Sequence, residues 1–371
     1  MRILILADES FAARERTMLS RLEVGLADEG ARVIHAIPAR AAAAHHPEVF
    51  SQTVTYEEGS ALSRRWRAQR LARAAQELAE SGDAAGGSKV DLVHVFGEHA
   101  WSIGADAAAL LGAGLILEVW SGSLALRPRG AGAAHDSGAL LCLTPDPAIA
   151  RILQEQDRAA PVRVAPWGVH TPAAPHDILK EGRSPFAVLI ASGRDPAGMG
   201  AALEGLARAM TEVPDLMVFA DSAAVERARL WPQVKKLGIT DRFTLAADLE
   251  ARRELALRAD LLILPEALGD HRTVALDAMA AGMIVVAAAD PLVGTLIDGR
   301  TARLVTAPRP GPWADALRWV FTDRAAARSL GLSAREHIRE CCRASSQVSA
   351  VVDAYEWMLQ GESIPFKDRA G

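Results

Sequence analysis

The chain has 371 residues, half of them hydrophobic, and its 41 lysines and arginines face 46 aspartates and glutamates for a formal charge of −5. That is too long for one ordinary domain and suggests two of about 170 residues each, while the acidic balance excludes a general nucleic-acid binder. Three cysteines, Cys142 and the adjacent pair Cys341 and Cys342, form neither a disulfide framework nor a CxxC metal spacing, as in a reducing compartment.

Met1 runs directly into an apolar strand, Arg2 to Ala7, so no cleavable leader is expected. No apolar run approaches the roughly 18 residues of a spanning helix, and a cytoplasmic protein is expected. Arg14 to Asp28 is a helix with Met18, Leu19, Leu22 and Leu26 on one face, ended by Gly30. Strands follow at Ala31 to Ile37 and Val90 to Phe96, then a helix over Ala100 to Leu111 and strands at Leu115 to Trp120 and Leu140 to Thr144. A helix from Pro147 to Gln156 and a strand at Val162 to Ala165 close the first half at the turn Pro166-Trp167-Gly168. Gly82 to Ser88 and Arg127 to Gly138 are Gly- and Ala-rich and read as mobile loops.

One run in this half is strongly basic, Ser63 to Glu80. On a helix Trp66, Arg70 and Arg73 share a face, with Leu71, Ala74, Ala75 and Leu78 opposite. Two readings stand: an interfacial helix against anionic lipid headgroups, or a solvated arginine face whose stems cover Trp66.

Thr171 to Pro185, rich in Pro, Ala, Gly and charge, is the best linker candidate. Alternation then restarts with strands at Phe186 to Ser192, Leu216 to Ala220 and Phe243 to Ala246, separated by helices at Ala201 to Met210 and Ala223 to Leu237 and followed by one at Ala251 to Ala259. Leu261 to Leu264, ended by Pro265, suits a strand buried on both faces; Thr273 to Ala281 is a helix capped by Gly282, and Met283 to Ala288 is a second buried strand. Together they make a βαβ unit, and the loop Glu266 to Arg272 is the candidate wall of a site, since ligands lie beyond the carboxyl ends of parallel strands. A short strand at Ala302 to Thr306 and helices at Pro312 to Phe321, Arg324 to Cys341 and Ser346 to Leu359 complete the chain. This alternation predicts an α/β protein with two doubly wound parallel sheets.

Several motifs carry a resemblance. Ala191-Ser192-Gly193-Arg194 forms a glycine-arginine turn after the first strand of the second half, and Leu261-Leu262-Ile263-Leu264-Pro265 precedes a loop. Leu276-Asp277-Ala278-Met279-Ala280-Ala281-Gly282 ends the helix after that loop, and Val164-Ala165-Pro166-Trp167-Gly168-Val169 ends the first half. In these features the chain resembles a family 4 (group 1) retaining glycosyltransferase of the GT-B fold, whose two Rossmann-like domains face each other across a cleft. The resemblance implies an acceptor domain over residues 1–172, a nucleotide-sugar donor domain over 173–345, and over 346–371 a helix crossing back to the first domain, anchored by Tyr355 and Trp357, with a tail. It implies hexosyl transfer from a nucleotide-diphosphate sugar to a glycan or lipid-linked acceptor with retention, with no metal and no cofactor beyond that co-substrate. Relatives that act on lipid-linked acceptors also bring the basic helix 63–80 into question as a peripheral contact with the inner face of a membrane.

The resemblance places Gly193 and Arg194 on the donor diphosphate, Asp277 on the ribose hydroxyls, and Asp270, His271, Arg272 and Thr273 at a helix start whose backbone N–H groups bind phosphate. Four departures bear on activity. Met199 stands where the family has a lysine, and Gly269, eight residues before Asp277, stands where it has its first glutamate. Glu266 or Asp270 would have to supply that carboxylate, and Arg272 either replaces the charge lost at Met199 or pairs with Asp270 on the surface. The glycine-rich loop after the first strand is replaced by Asp8 to Ala13, and the family's histidine falls near Trp120 and Ser121, leaving His94 and His99 as the nearest imidazoles, both better read as structural. A catalytically inactive relative that keeps the fold as a binding or scaffolding module is therefore the rival reading.

Overall fold

The computed structural model describes residues 1–41, 51–59, 63–81, 89–127, 139–156 and 161–360. The segment Gly82 to Ser88, all of Arg127 to Gly138 except Arg127 itself, and the tail after Gln360 lie outside the described residues. The described residues form two compact units, Met1–Pro166 with Ala344–Gln360, and Trp167–Arg343.

The first unit runs β1 (Arg2–Ala7), α1 (Glu9–Arg14), α2 (Arg16–Asp28), β2 (Arg32–Pro38), β3 (Ser51–Tyr56), α3 (Arg64–Ser81), β4 (Leu92–Phe96), α4 (Trp101–Leu111), β5 (Gly114–Glu118), α5 (Gly122–Ala125), β6 (Leu140–Thr144), α6 (Pro147–Gln156) and β7 (Val162–Val164). Its seven strands pair in parallel in the order β3-β2-β1-β4-β5-β6-β7. The second unit runs β8 (Phe186–Leu189), α7 (Pro196–Glu212), β9 (Met217–Asp221), α8 (Ser222–Arg227), α9 (Trp231–Lys236), β10 (Phe243–Ala246), α10 (Arg253–Ala256), β11 (Leu261–Leu264), α11 (Thr273–Ala280), β12 (Ile284–Ala288), β13 (Arg303–Val305), α12 (Pro310–Thr322) and α13 (Arg324–Cys341). Its six parallel strands are ordered β10-β9-β8-β11-β12-β13. The last helix, α14 (Ala344–Gln360), belongs to the first unit.

Both sheets are the Rossmann-like, doubly wound kind that the apolar runs predict. β4 and β11 are buried at every residue, which requires cover on both faces. Each sheet reverses its winding beside its first strand, between β1 and β4 in one unit and between β8 and β11 in the other. The carboxyl ends at these switch points are where such sheets open a crevice for ligands.

The structure departs from the periodicity at several places. β3 is absent from the sequence reading because its SQTVTY run lies at a sheet edge and buries only Tyr56, whose hydroxyl donates to the Ala7 carbonyl at 2.8 Å. The helix expected over Ala223 to Leu237 is two helices, broken where Arg229 takes φ +55°, with Pro232 admitted in the first turn of α9. Helix α7 starts at Pro196, five residues before its apolar pattern, because the Asp195 carboxylate accepts the Gly198 N–H at 2.9 Å.

The proline-rich segment from Thr171 to Pro185 is docked on the second unit. The buried Asp260 carboxylate accepts the N–H groups of Leu179 at 2.6 Å and Phe186 at 2.9 Å and also binds the Arg183 guanidinium. Arg328 donates to the carbonyls of Ile178 and Leu179, and the His176 N–H reaches the Ala281 carbonyl at 2.7 Å.

Helix α14 is fixed in the first unit by a buried polar triplet. The Tyr355 hydroxyl lies 2.7 Å from His94 Nδ1, and His94 Nε2 lies 3.2 Å from Glu118 Oε2. Because a carboxylate only accepts, Nε2 carries a proton and donates to Glu118. Burial first, and then the Glu118 charge, raises the Tyr355 pKa well above the usual phenol value and keeps it a donor. His94 thus ties α14 to β4 and β5. Nearby, Arg163 stacks on Trp357, and Gly25 of α2 is small because a Cβ there would meet Val348 of α14 at 2.3 Å.

Candidate functional site

The second unit brings the candidate residues together at the carboxyl ends of the neighbouring strands β8 and β11. After β8 the chain turns at Gly193, whose φ of +77° is open only to glycine without strain. A Cβ there would also lie 2.5 Å from the Ala224 carbonyl oxygen, so this glycine is required twice over. The turn is held from both sides. Arg227 donates to the Ser192 carbonyl at 2.8 Å, and both oxygens of Glu266 accept backbone N–H groups, Ser192 at 2.5 Å and Asp195 at 3.0 Å. Glu266 thus shapes this loop through both of its oxygens.

Arg194 stands on this turn with its side chain about 38% exposed; it is braced by Ser192 Oγ at 3.1 Å and paired with Asp270 across the gap between the two loops. Met199, five residues on, lies in the first turn of α7 and is completely buried, so that position contributes packing and no charge.

The loop after β11 is equally constrained. Gly269 takes φ +67° and donates to Asp290 at 2.6 Å, and His271 Nε2–H donates to the Leu292 carbonyl at 2.9 Å while its ring meets the edge of Trp167. Arg272 occupies the cap position of α11 in extended conformation, and no side chain caps the helix. Its own side chain turns inward to Glu250 at 2.7 Å and Asp270 at 3.4 Å. The pairing with Asp270 foreseen at the surface is thus buried and shared with a second carboxylate. Burial alone would lower the Arg272 pKa, but Glu250, Asp270 and Glu266 outweigh it and the guanidinium is held above its usual value.

Behind this pair, Arg253 donates to Thr273 Oγ1 at 2.7 Å and lies 3.3 Å from the Asp277 carboxylate. Asp277, the candidate ribose contact, is therefore buried against a guanidinium. Glu250 and Arg253 escape sequence reasoning because they precede Arg272 and Thr273 by about twenty residues and follow no shared period with them.

The electrostatics of the site follow from this network. Three guanidiniums, Arg194, Arg253 and Arg272, face four carboxylates, Glu250, Glu266, Asp270 and Asp277, so side-chain charge alone does not make the site positive. The positive contribution that no carboxylate side chain caps is the amino end of α11, where aligned peptide dipoles are equivalent to about half a positive charge. Asp270 lies beside that end and bridges Arg194 and Arg272 through one oxygen, Oδ2, while its buried Oδ1 has no partner among the described residues.

No protein-family model matches the chain, and no curated protein matches it. Solved structures do. Sucrose-phosphate synthase from Thermosynechococcus elongatus superposes with a TM-score of 0.72 at 15% identity, covering 97% of this chain and 100% of that one. HepE of Anabaena in complex with UDP-glucose gives 0.70 at 15% identity, covering 96% and 99%. A glycosyltransferase from Rickettsia africae gives 0.68 at 12% identity, covering 97% and 98%. At such identities the likeness is one of fold: two parallel, Rossmann-like sheets matching those of GT-B glycosyltransferases.

Proposed function

We propose that the protein is a glycosyltransferase that takes a nucleotide-diphosphate sugar as co-substrate on its second unit and transfers the hexosyl group, with retention, to an acceptor held by the first unit, without a metal or a further cofactor. The observation that carries this reading is the convergence of Arg194 and the uncapped start of α11 at the ends of β8 and β11. A pyrophosphate needs donors that face it and charge that offsets its own as the bond to the sugar breaks. Arg194 supplies a planar fork, the first N–H groups of α11 supply aligned donors, and Gly193 lets the β8 turn approach closely. Asp277 would receive the ribose hydroxyls, exchanging part of its contact with Arg253. The solved complex of HepE with UDP-glucose, on the same fold, supports a nucleotide sugar as the ligand class.

A second reading, an inactive relative acting as a binding or scaffolding module, is favoured by two specific observations: Met199 is buried where the resemblance asks for a lysine, and Arg194 is already paired with Asp270. Thermal shift with UDP, GDP and ADP, run beside radiolabel transfer from the corresponding sugars, separates the two. A nucleoside diphosphate that raises the melting point, together with turnover, supports the enzyme; stabilisation without turnover from any sugar supports the module. If no nucleotide stabilises the chain, both readings fail at this site.

A cytoplasmic location with peripheral contact at the inner face of a membrane belongs to the same proposal. Among the described residues no helix is long and apolar enough to cross a membrane. On α3, Trp66 is 57% exposed with the Arg70 guanidinium 4.8 Å above its ring, while Arg64 is tied to Asp106. Sedimentation with vesicles containing anionic lipid is expected to carry the protein down, and Trp66→Ala to reduce this severalfold. Equal sedimentation with neutral vesicles would leave Trp66 and Arg70 as a solvated pair.

A further inference from the structure

The first unit has its own cluster at the carboxyl end of its sheet, made by residues that the donor site does not use. Helix α1 is capped by Asp8, whose carboxylate accepts the Phe11 N–H at 2.8 Å and, from the loop after β4, the His99 N–H at 3.0 Å. The loops after β1 and β4 are thereby tied at the switch point of this sheet. Phe11 lies across β4, 5.3 Å from the Phe96 ring and 5.8 Å from Trp120 beyond β5. At the end of α1, Arg14 lays its guanidinium 4.0 Å over the Trp120 ring and turns Nε to the buried Glu15 at 3.2 Å.

Two donors in this cluster are unused. Arg14 Nη2 and Trp120 Nε1 are both shielded from solvent, and neither has a hydrogen-bond partner among the described residues. Trp120 is 91% buried. Leaving a buried donor unmade costs stability, and two such donors on stacked side chains call for a group to receive them. Both are donors only, and one carries a full charge, so the matching group accepts without donating: an ionised carboxylate or phosphate oxygen. The Glu15 carboxylate accepts from Nε and helps to fix the plane of the guanidinium, leaving Nη2 to the ligand.

From this we infer that the first unit holds a subsite for an anionic group of the acceptor, with Arg14 Nη2 and Trp120 Nε1 as its two donors. The inference rests on the glycosyl-transfer reading only in calling the ligand an acceptor. The acceptor would then be an acidic sugar or a phosphorylated compound, and neutral saccharides would bind without these contacts.

The test uses the full chain labelled with nitrogen-15 at its eight tryptophans. The indole N–H signal of Trp120 is identified by its loss in Trp120→Phe, which keeps an aromatic ring beneath Arg14 and removes the N–H donor. Glucose 6-phosphate, glucuronate and glucose are titrated separately at constant pH and ionic strength. A saturable downfield shift of the Trp120 signal with glucose 6-phosphate assigns a phosphorylated acceptor, and one with glucuronate assigns a carboxylated acceptor. Arg14→Lys is expected to weaken the response on the order of tenfold, as for one charge-assisted hydrogen bond lost. No movement with either anion at high millimolar concentration, or an equal movement with glucose, overturns the proposal. No nucleotide is present in these titrations, so a negative result leaves donor binding, read by thermal shift, as it stands.

Discussion

Arg194→Ala is expected to weaken nucleoside-diphosphate binding by two to three orders of magnitude, while Asp270→Asn strengthens it about tenfold. The opposite signs follow from one ion pair. A charge-assisted hydrogen bond to phosphate contributes about 1.5–3 kcal/mol, and losing Arg194 also leaves Asp270 less compensated beside the incoming charge, which adds roughly another 1 kcal/mol. The Asp270 carboxylate pairs with Arg194 and Arg272 beside the start of α11, where the proposed site would take a phosphate. At the proposed site, pyrophosphate would therefore have to draw Arg194 partly away from Asp270. Asparagine removes the competing charge and keeps the shape. Isothermal titration with the diphosphate found by thermal shift, on both variants and the double variant, gives a cycle in which the order of affinity is Asp270→Asn, wild type, double variant, Arg194→Ala. Should Asp270→Asn bind more weakly than wild type, Asp270 acts by positioning Arg194, and the competition argument is lost.

The same site shows what a single sequence discloses and what it hides. The two parallel sheets were legible because β1, β4, β8, β11 and β12 are short apolar runs buried at nearly every residue, bounded by turn residues such as Gly97, Gly193, Pro265 and Gly282. β3 was not legible: its side chains alternate polar and half-exposed at a sheet edge, and only its hydrogen bonds make it a strand. Arg194, Asp270, Arg272 and Asp277 were singled out by the family resemblance of the motifs along β8–α7 and β11–α11, and the ion pair of Arg194 with Asp270 joins the two loops. The counter-charges could not be read from the sequence. Glu250 reaches Arg272 from a turn 22 residues earlier, and Glu266 looks like a free loop carboxylate until its two backbone bonds are seen. Pairing of this kind depends on how loops pack over strand ends, and no periodicity encodes it. Arg14 and Trp120 escaped for the same reason, being separated by more than a hundred residues and joined only by the order β1-β4-β5.

Arg272→Met is expected to destabilise the second unit by about 3–5 kcal/mol, the cost of leaving buried carboxylates without their cation. The Arg272 side chain is only 8% exposed, and its partners Glu250 and Asp270 are 14% and 6% exposed, so water cannot readily replace it. The methionine fills similar space, which makes the loss mainly electrostatic. Two further variants separate charge from packing. Glu250→Gln in the Arg272→Met background relieves one orphaned charge and is expected to restore roughly half the loss, since replacing both partners of a buried pair is far less costly than removing one. Arg272→Lys keeps the charge but cannot fork between two carboxylates, and falls between Arg272→Met and wild type. Because the chain has two units, the measurement is scanning calorimetry on the transition assigned to residues 167–343 by hydrogen exchange, rather than a single melting point. If Arg272→Met left that transition unmoved, the Glu250–Arg272–Asp270 chain would be open to solvent in solution. Arg272 would then be a mobile cation available to phosphate, and the charge balance argued for the donor site would tip towards binding.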